Sequence, residues 1–522
     1  MKILVAEALA GEGLEVLRAA GHQIDDRPGM TREAFLEALG DYDALMVRSQ
    51  VQVDAEAIGC GPRLIVVGRA GVGVDNVDLD AATRAGITVV NAPTGNTIAA
   101  AEHTLALLFA LARRVAAADA SVRRGEWKRS AFTGVELRAK TLGIVGLGKI
   151  GMAIADRARG MEMEVVGHDP FVTEEAASHH GVALLPLDEL LRRADAITLH
   201  VPLNRATRDM IGEPQLASMK PGALVVNVAR GGVVNEQALA DSLRSGHTGG
   251  AAVDVFSDEP PTGSPLLHAP NTVLTPHLGA STAEAQTRVA VEAAQQLLEV
   301  LAGRPARYAV NAPLMTAETA RALAPYLPLA TKLGQFYAQF ARGLESLTID
   351  IAGDIAEFDS APLAAAVLRG LLETVTEERV NLVNAAHLAR ARGITLVERR
   401  TPDAGRYASL ITLSGSETVA GTVAAAGEPR LVRLGDYWVD LAPTNWMLVT
   451  RHQDRPGTMG RIGLMLGEAD VNISAMHLAR GAEQRADALM ILALDDAVPS
   501  DVAERIRADE AVLDLWVLRL DG

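Results

Sequence analysis

The chain has one cysteine, Cys60, in 522 residues, and that scarcity removes two possibilities at once. A lone thiol makes no intramolecular disulfide framework and no thiolate metal site, so a reducing cytoplasm is expected and no metal. Aromatic residues are nearly as scarce, at 3% beside a hydrophobic share of 49%. The cores must then be filled by Ala, Val, Leu and Ile, the composition of parallel sheets covered by helices. Basic residues are also short, with 49 Lys and Arg facing 65 Asp and Glu for a formal net charge of −16. Such a field repels nucleic acid and anionic membrane, so neither is expected as a partner. An anionic ligand must be gripped instead by a local cluster of cations. Long apolar runs are missing too: the strongest, Ile98 to Ala112, contains Glu102 and His103, is followed by Arg113 and Arg114, and reads as a buried helix. Met1-Lys2-Ile3-Leu4-Val5-Ala6 reads as a strand and not as an export signal.

What is present is a βα rhythm. Short apolar runs at Ile3 to Val5, Ala44 to Val47, Leu64 to Val67 and Thr88 to Val90 alternate with Ala/Leu/Glu-rich helical stretches. A second series runs through Leu142 to Val145, Glu164 to Val166, Ala196 to Leu199, Ala223 to Val228, Ala251 to Val255 and Thr272 to Leu274. Two doubly wound parallel-sheet units are expected. A connector is placed at Gly303-Arg304-Pro305 and Asn311-Ala312-Pro313, after a helix that starts near Ser281. Residues 314–443 begin helical and turn strand-like, as at Tyr407 to Leu413, so a mixed α/β domain is expected there. From Trp446 the order is strand, turn, helix, strand, strand, helix, strand, a ferredoxin-like βαββαβ unit.

Directly after the strand Leu142 to Val145 comes Gly146-Leu147-Gly148-Lys149-Ile150-Gly151, opening a helix. In this G-x-G-x-x-G pattern the first Gly makes the tight turn and the second admits a pyrophosphate close to backbone. The third lets the helix pack on the strand with its amino end toward the phosphates. Asp169 stands 18 residues beyond Gly151, where a carboxylate reads the adenosine ribose and repels a 2′-phosphate. NAD is therefore the expected cofactor.

Three segments follow successive strands of the second series: Val228-Ala229-Arg230-Gly231-Gly232, Asp254 to Pro261, and Thr275-Pro276-His277-Leu278-Gly279-Ala280. Oxidising a 2-hydroxy acid needs a cation on the carboxylate, a base for the hydroxyl proton, and a group that tunes that base. Arg230 suits the first role, His277 the second and Glu259 the third.

These motifs together resemble the D-isomer-specific 2-hydroxyacid dehydrogenase family. The resemblance implies a discontinuous substrate domain (1–97 and 281–310) with the NAD-binding Rossmann domain (98–280) inserted. It also implies cofactor contacts from Val72, Gly146, Gly148, Lys149, Ile150, Gly151, Asp169, Val201, Val228, Ala229, Asp254, Gly279 and Ala280, with Asp254 on the nicotinamide amide. Arg48 and Arg69 end two strands of the first unit, and Asn96 and Arg129 complete a polar rim. This set is similar to the branch of the family that oxidises 3-phosphoglycerate, where matching arginines bind the phosphate. Arg129 is expected to act across a subunit boundary. Residues 314–443, including a helical Val380-Asn381-Leu382-Val383-Asn384, resemble that branch's intervening domain. Residues 446–522 resemble an ACT domain, with Asp454 and Asn472 as L-serine contacts in a homotetramer. The alternatives are a glyoxylate or hydroxypyruvate reductase, which needs neither the paired arginines nor a regulatory tail, and an NAD-sensing binding protein on the same fold.

Overall fold

The computed structural model describes residues 1–313, 315–480 and 487–520. It contains four sheets. The first holds five parallel strands in the order Gln23–Asp26, Lys2–Val5, Ala44–Val47, Val66–Arg69 and Thr88–Val90. Ala44–Val47 is buried at every position, as a strand covered on both faces requires. Gln23–Asp26 escapes a reading based on apolar runs because it is a polar edge strand.

One cover for this sheet arrives from far along the chain. In the helix Ala283–Leu301, Ala293, Ala294 and Leu297 pack with Ile3, Val5, Met46 and Val66. The following connector is sewn to the sheet edge. The Val310 N–H donates to the Val89 carbonyl at 2.7 Å, and the Asn311 side chain accepts from the Val89 N–H at 2.8 Å.

The second sheet has seven parallel strands: Thr272–Leu274, Gly250–Val253, Leu224–Asn227, Ala196–Leu199, Thr141–Val145, Glu164–His168 and Ala183–Leu184. From Thr141–Val145 the chain winds outward through Glu164–His168 to one edge, then returns to Ala196–Leu199 on the other side of its starting strand. The reversal opens a crevice at the carboxyl ends of Thr141–Val145 and Ala196–Leu199, where a ligand of such a sheet sits. The helix Thr97–Ala112 packs Leu105, Leu108 and Leu111 into this unit's core and leaves Ile98 and Phe109 exposed.

The third sheet is mixed. Thr395–Thr401 runs parallel to Ser346–Gly353, and Ser409–Ser414, Thr418–Val423, Pro429–Leu434 and Tyr437–Leu441 follow antiparallel. The helices Tyr326–Phe340 and Ala361–Glu373 pack against each other, and glycine is what lets their backbones touch: a Cβ at Gly370 would overlap the Thr331 carbonyl, and one at Gly334 the Val367 carbonyl. The helix expected over Val380 to Asn384 is corrected. That stretch is a turn, and the helix is Ala385–Ala391. Asn381 accepts the N–H groups of Val383 and Asn384 on its side chain, while Asn384 donates to the Arg379 carbonyl. Short amides that satisfy local backbone groups in this way favour the turn before a helix over its interior.

The fourth sheet is antiparallel, in the order Ile473–Arg480, Asp487–Leu494, Trp446–Gln453 and Val512–Arg519. The helices Thr458–Glu468 and Ser500–Arg507 bury Ile462, Leu466, Val502 and Ile506 with it. This is the βαββαβ arrangement expected, and the fold class, two Rossmann-like parallel units followed by a mixed and an antiparallel α/β unit, is as read from the sequence. Among the described residues no helix is long and apolar enough to cross a membrane.

Candidate active site

The glycine turn lies at the end of Thr141–Val145, in the crevice. Gly146 has φ +94°, and a Cβ there would run into the His200 carbonyl. A Cβ at Gly151 would overlap the Gly146 carbonyl, so strand, turn and helix close up only with hydrogen at both places. Gly148 is the N-cap of the helix Lys149–Gly160 and supplies no side-chain cap, so the first N–H groups of that helix remain available to an anion. Asp169 follows the neighbouring strand. Its carboxylate accepts the Leu147 N–H at 2.9 Å and the Phe171 N–H at 2.9 Å, which fixes it beside the turn with lone pairs to spare for ribose hydroxyls. These residues fit NAD. Val201 reaches over the turn, 2.9 Å from where a Gly146 Cβ would stand. Lys149 lies over the Tyr308 ring at 5.7 Å, Ile150 packs on the core, and Val228 and Ala229 are buried.

Arg230, Glu259 and His277 follow three strands that are neighbours in the second sheet, so parallel pairing sets their loops side by side. His277 Nδ1 lies 2.8 Å from Glu259 Oε2, and Glu259 Oε1 accepts the Phe256 N–H at 3.1 Å. Because an ionised carboxylate only accepts, Nδ1 carries the proton and Nε2 is the ring atom left for a substrate. His277 has φ +57°, a left-handed conformation costing roughly 1–2 kcal/mol outside glycine. It is held by its own N–H, which donates to the Asp254 carbonyl at 2.8 Å. Gly231 permits the Arg230 loop to touch the loop that carries Glu259, since a Cβ there would overlap the Phe256 carbonyl.

Arg230 also reaches the first sheet. Its Nε pairs with Asp75 at 3.2 Å, and a Cβ at Gly73 would collide with its guanidinium. Arg69, at the end of Val66–Arg69, is largely buried, and its Nε has no hydrogen-bond partner. Burial pushes its pKa down to about 10, the positive charge of Arg230 pushes the same way, and Arg48 adds to it. The charges of Arg230 and Arg48 thus both bear on Arg69, as do those of Asp75 and Glu7. Glu7 is already committed, because it accepts the N–H groups of Arg48, Gln50 and Val51 and shapes the loop that carries Arg48. A buried cation without a matching carboxylate is stabilised by an incoming anion. Asn96, N-cap of Thr97–Ala112, has a buried Oδ1 without a partner, and the Val72 carbonyl accepts from the Asn91 amide at 2.5 Å.

Other expected residues stand differently. Arg129 opens the exposed 3-10 turn Arg129–Phe132, and among the described residues no hydrogen bond or ion pair links it to the arginine cluster. The Asp254 side chain is 0% exposed, and its carboxylate accepts from His103, Thr275, Leu278 and Gly279. Only Oδ2, with a single partner in Gly279, has a lone pair left for a nicotinamide amide. Asp454 pairs with Arg480 at 3.2 Å and Asn472 donates to Asp495 at 2.6 Å, so the two expected effector residues are each engaged elsewhere. Reasoning from sequence passed over His103, Asp75 and Glu7. For His103 the available signal was a titratable residue inside a largely apolar helix. Among the described residues no group of three or more His, Cys, Asp or Glu could hold a metal ion.

A dinucleotide turn at a switch point, with an Arg and a Glu–His pair on neighbouring strand ends, defines an NAD-dependent dehydrogenase of 2-hydroxy acids. Residues 105–279 match the NAD-binding domain of the D-isomer specific 2-hydroxyacid dehydrogenases, and residues 322–435 match the D-3-phosphoglycerate dehydrogenase intervening domain. The chain is 42% identical to a D-3-phosphoglycerate dehydrogenase of Synechocystis sp., covering 99% of this chain and 95% of that protein. It is 38% identical to another from Archaeoglobus fulgidus over the full length of both. Among solved structures, the TT0316 protein from Thermus thermophilus (TM-score 0.55, 38% identity) covers 59% of this chain and is itself covered completely. A glyoxylate reductase from Paecilomyes thermophila (TM-score 0.55, 32% identity) also covers 59% of this chain, with 98% of its own length matched. The chain belongs to the D-isomer specific 2-hydroxyacid dehydrogenases, and within them to the D-3-phosphoglycerate dehydrogenase family. It uses NAD and acts on a small-molecule substrate.

Proposed function

We propose that the chain oxidises the C2 hydroxyl of 3-phospho-D-glycerate to 3-phosphohydroxypyruvate, the first step of serine biosynthesis. Bound NAD supplies the hydride acceptor. Arg230 forks onto the substrate carboxylate and the C2 oxygen, fixing the C2–H bond toward the cofactor side of the cleft. As the hydride leaves C2, His277 Nε2 takes the hydroxyl proton, and the ketone forms without a free alkoxide. Glu259 stabilises the resulting imidazolium through Nδ1 and keeps the ring in one orientation. Arg69 and Arg48, on adjacent strand ends, take the phosphate, and Asn96 borders the same rim.

The single observation that carries this reading is the 2.8 Å Glu259–His277 pair on the strand end next to that of Arg230, whose charge with that of Arg48 bears on Arg69, in a chain of net charge −16. Its test is the steady-state rate of NADH formation from 3-phosphoglycerate and from unphosphorylated D-glycerate. The phosphorylated acid is expected to have a kcat/KM higher by about 10²-fold or more, the scale of two charge-assisted contacts. Equal efficiency on both acids removes the phosphate assignment. The resemblance of residues 446–522 to an ACT domain supports L-serine as effector, read by Asp454 and Asn472 in a homotetramer, with Arg129 reaching a neighbouring subunit. The single cysteine suits a reducing cytoplasm.

A further inference from the structure

The helix Thr97–Ala112 begins at the substrate rim, with Asn96 as its N-cap, and runs along the core of the second sheet. Two turns in, His103 sends its Nε2 to Asp254 Oδ1 at 3.1 Å and to the Thr275 hydroxyl at 3.3 Å. Its side chain is 19% exposed and that of Asp254 is 0% exposed, so this contact is largely shielded from solvent. Asp254 in turn organises the segment that presents the base. Its carboxylate accepts the Leu278 N–H at 2.7 Å and the Gly279 N–H at 2.9 Å, and its carbonyl accepts the His277 N–H at 2.8 Å. Those three bonds span the residue whose φ of +57° needs outside support. Burial pushes the Asp254 carboxyl up, but the bonds from His103, Thr275 and Leu278 outweigh it and hold the group below the usual carboxylate range.

We propose that His103 is a positioning residue for the reaction. Through Asp254 it braces the left-handed turn at His277, so that the imidazole faces both Glu259 and the substrate, and it ties that turn to the helix whose N-cap, Asn96, borders the substrate rim. This rests on the reading of His277 as the base, but not on the identity of the hydroxy acid. The polar contacts of His103 go to Asp254 and Thr275 and not to His277 itself, so its effect belongs in turnover more than in substrate affinity.

The experiment compares His103→Leu and His103→Gln with the wild-type full chain, at a temperature where near-ultraviolet circular dichroism shows all three folded. Glutamine keeps an N–H donor near the place of Nε2, whereas leucine fills the space without one. Leucine is expected to lower kcat at least tenfold and change the KM for the hydroxy acid less than twofold. Glutamine is expected to recover kcat to within about threefold of wild type. NADH binding, followed by its fluorescence, serves as a readout independent of turnover and is expected to weaken for leucine more than for glutamine. A leucine variant with wild-type kcat overturns the proposal, as does a glutamine variant impaired as severely as the leucine one, which would indicate a packing role alone. If the wild-type chain prefers an unphosphorylated acid, the same comparison on that acid tests His103 while only the phosphate assignment falls.

Discussion

The catalytic cleft and the C-terminal sheet present contrasting ways of arranging polar groups. In the cleft, cations are left over: Arg69 is partly buried with a buried, unpartnered Nε, and the charges of Arg48, Arg230, Asp75 and Glu7 all bear on it. At the C-terminal sheet the polar groups expected to read an effector already have partners. Asp454 meets Arg480, Asn472 meets Asp495, and Arg461 is paired with Asp509, whose pKa falls to about 2 through the Arg461 bond and then the Ala511 N–H. Unsatisfied charge is a standing cost that folding accepts where a ligand will relieve it. The first region leaves the Arg69 Nε without a partner, which an incoming anion would relieve, whereas in the second Asp454 and Asn472 already have partners.

The largest effect that can break this contrast is at the base. His277→Ala is expected to lower kcat by about 10²–10⁴-fold while NAD binds as to wild type; undiminished turnover in a stopped-time NADH assay would remove His277 from the chemistry. Next, Arg69→Leu and Arg48→Leu are each expected to raise the KM for 3-phosphoglycerate by roughly 10- to 100-fold, the range for a hydrogen bond to a charged group. Their KM for D-glycerate should move far less, and parallel changes for the two acids would argue against a phosphate contact. Asp169→Ala should weaken NAD by about tenfold and narrow its advantage over NADP, read from the two cofactor KM values. The smallest effect concerns the C-terminal sheet. The ratio of rates without and with L-serine is expected to be about fivefold in the wild type and to approach one in Asn472→Ala, within the usual scale of coupling between sites. A ratio of one in both proteins would leave this sheet without an effector role.

Legibility in the sequence followed the same division. Gly146, Gly148, Gly151 and Asp169 are tied to one cofactor geometry and lie within 24 residues of one another, so they stand out as a motif. Arg230, Glu259 and His277 each close a predictable strand, and the parallel order brings them together. His103 was not legible as a partner of Asp254 because 151 residues separate them and only the packing of a helix across the sheet makes them meet. The Arg230–Asp75 pair is hidden for the same reason, since it joins the first sheet to the second. Gln23–Asp26 was missed for lack of an apolar run, and Val380 to Asn384 was read as helix although its asparagine side chains bond the turn instead. Sequence periodicity reports burial and local geometry, and it is silent about polar contacts made between distant segments.

The most direct test of the account is the crystal structure of the dead-end complex with NADH and 3-phosphoglycerate. The account predicts His277 Nε2 within about 2.6–3.2 Å of the C2 oxygen, Nδ1 still on Glu259, and the phosphate enclosed by Arg69 and Arg48. A complex in which the C2 hydroxyl is held by another group, with the imidazole turned to solvent in every subunit, would contradict it.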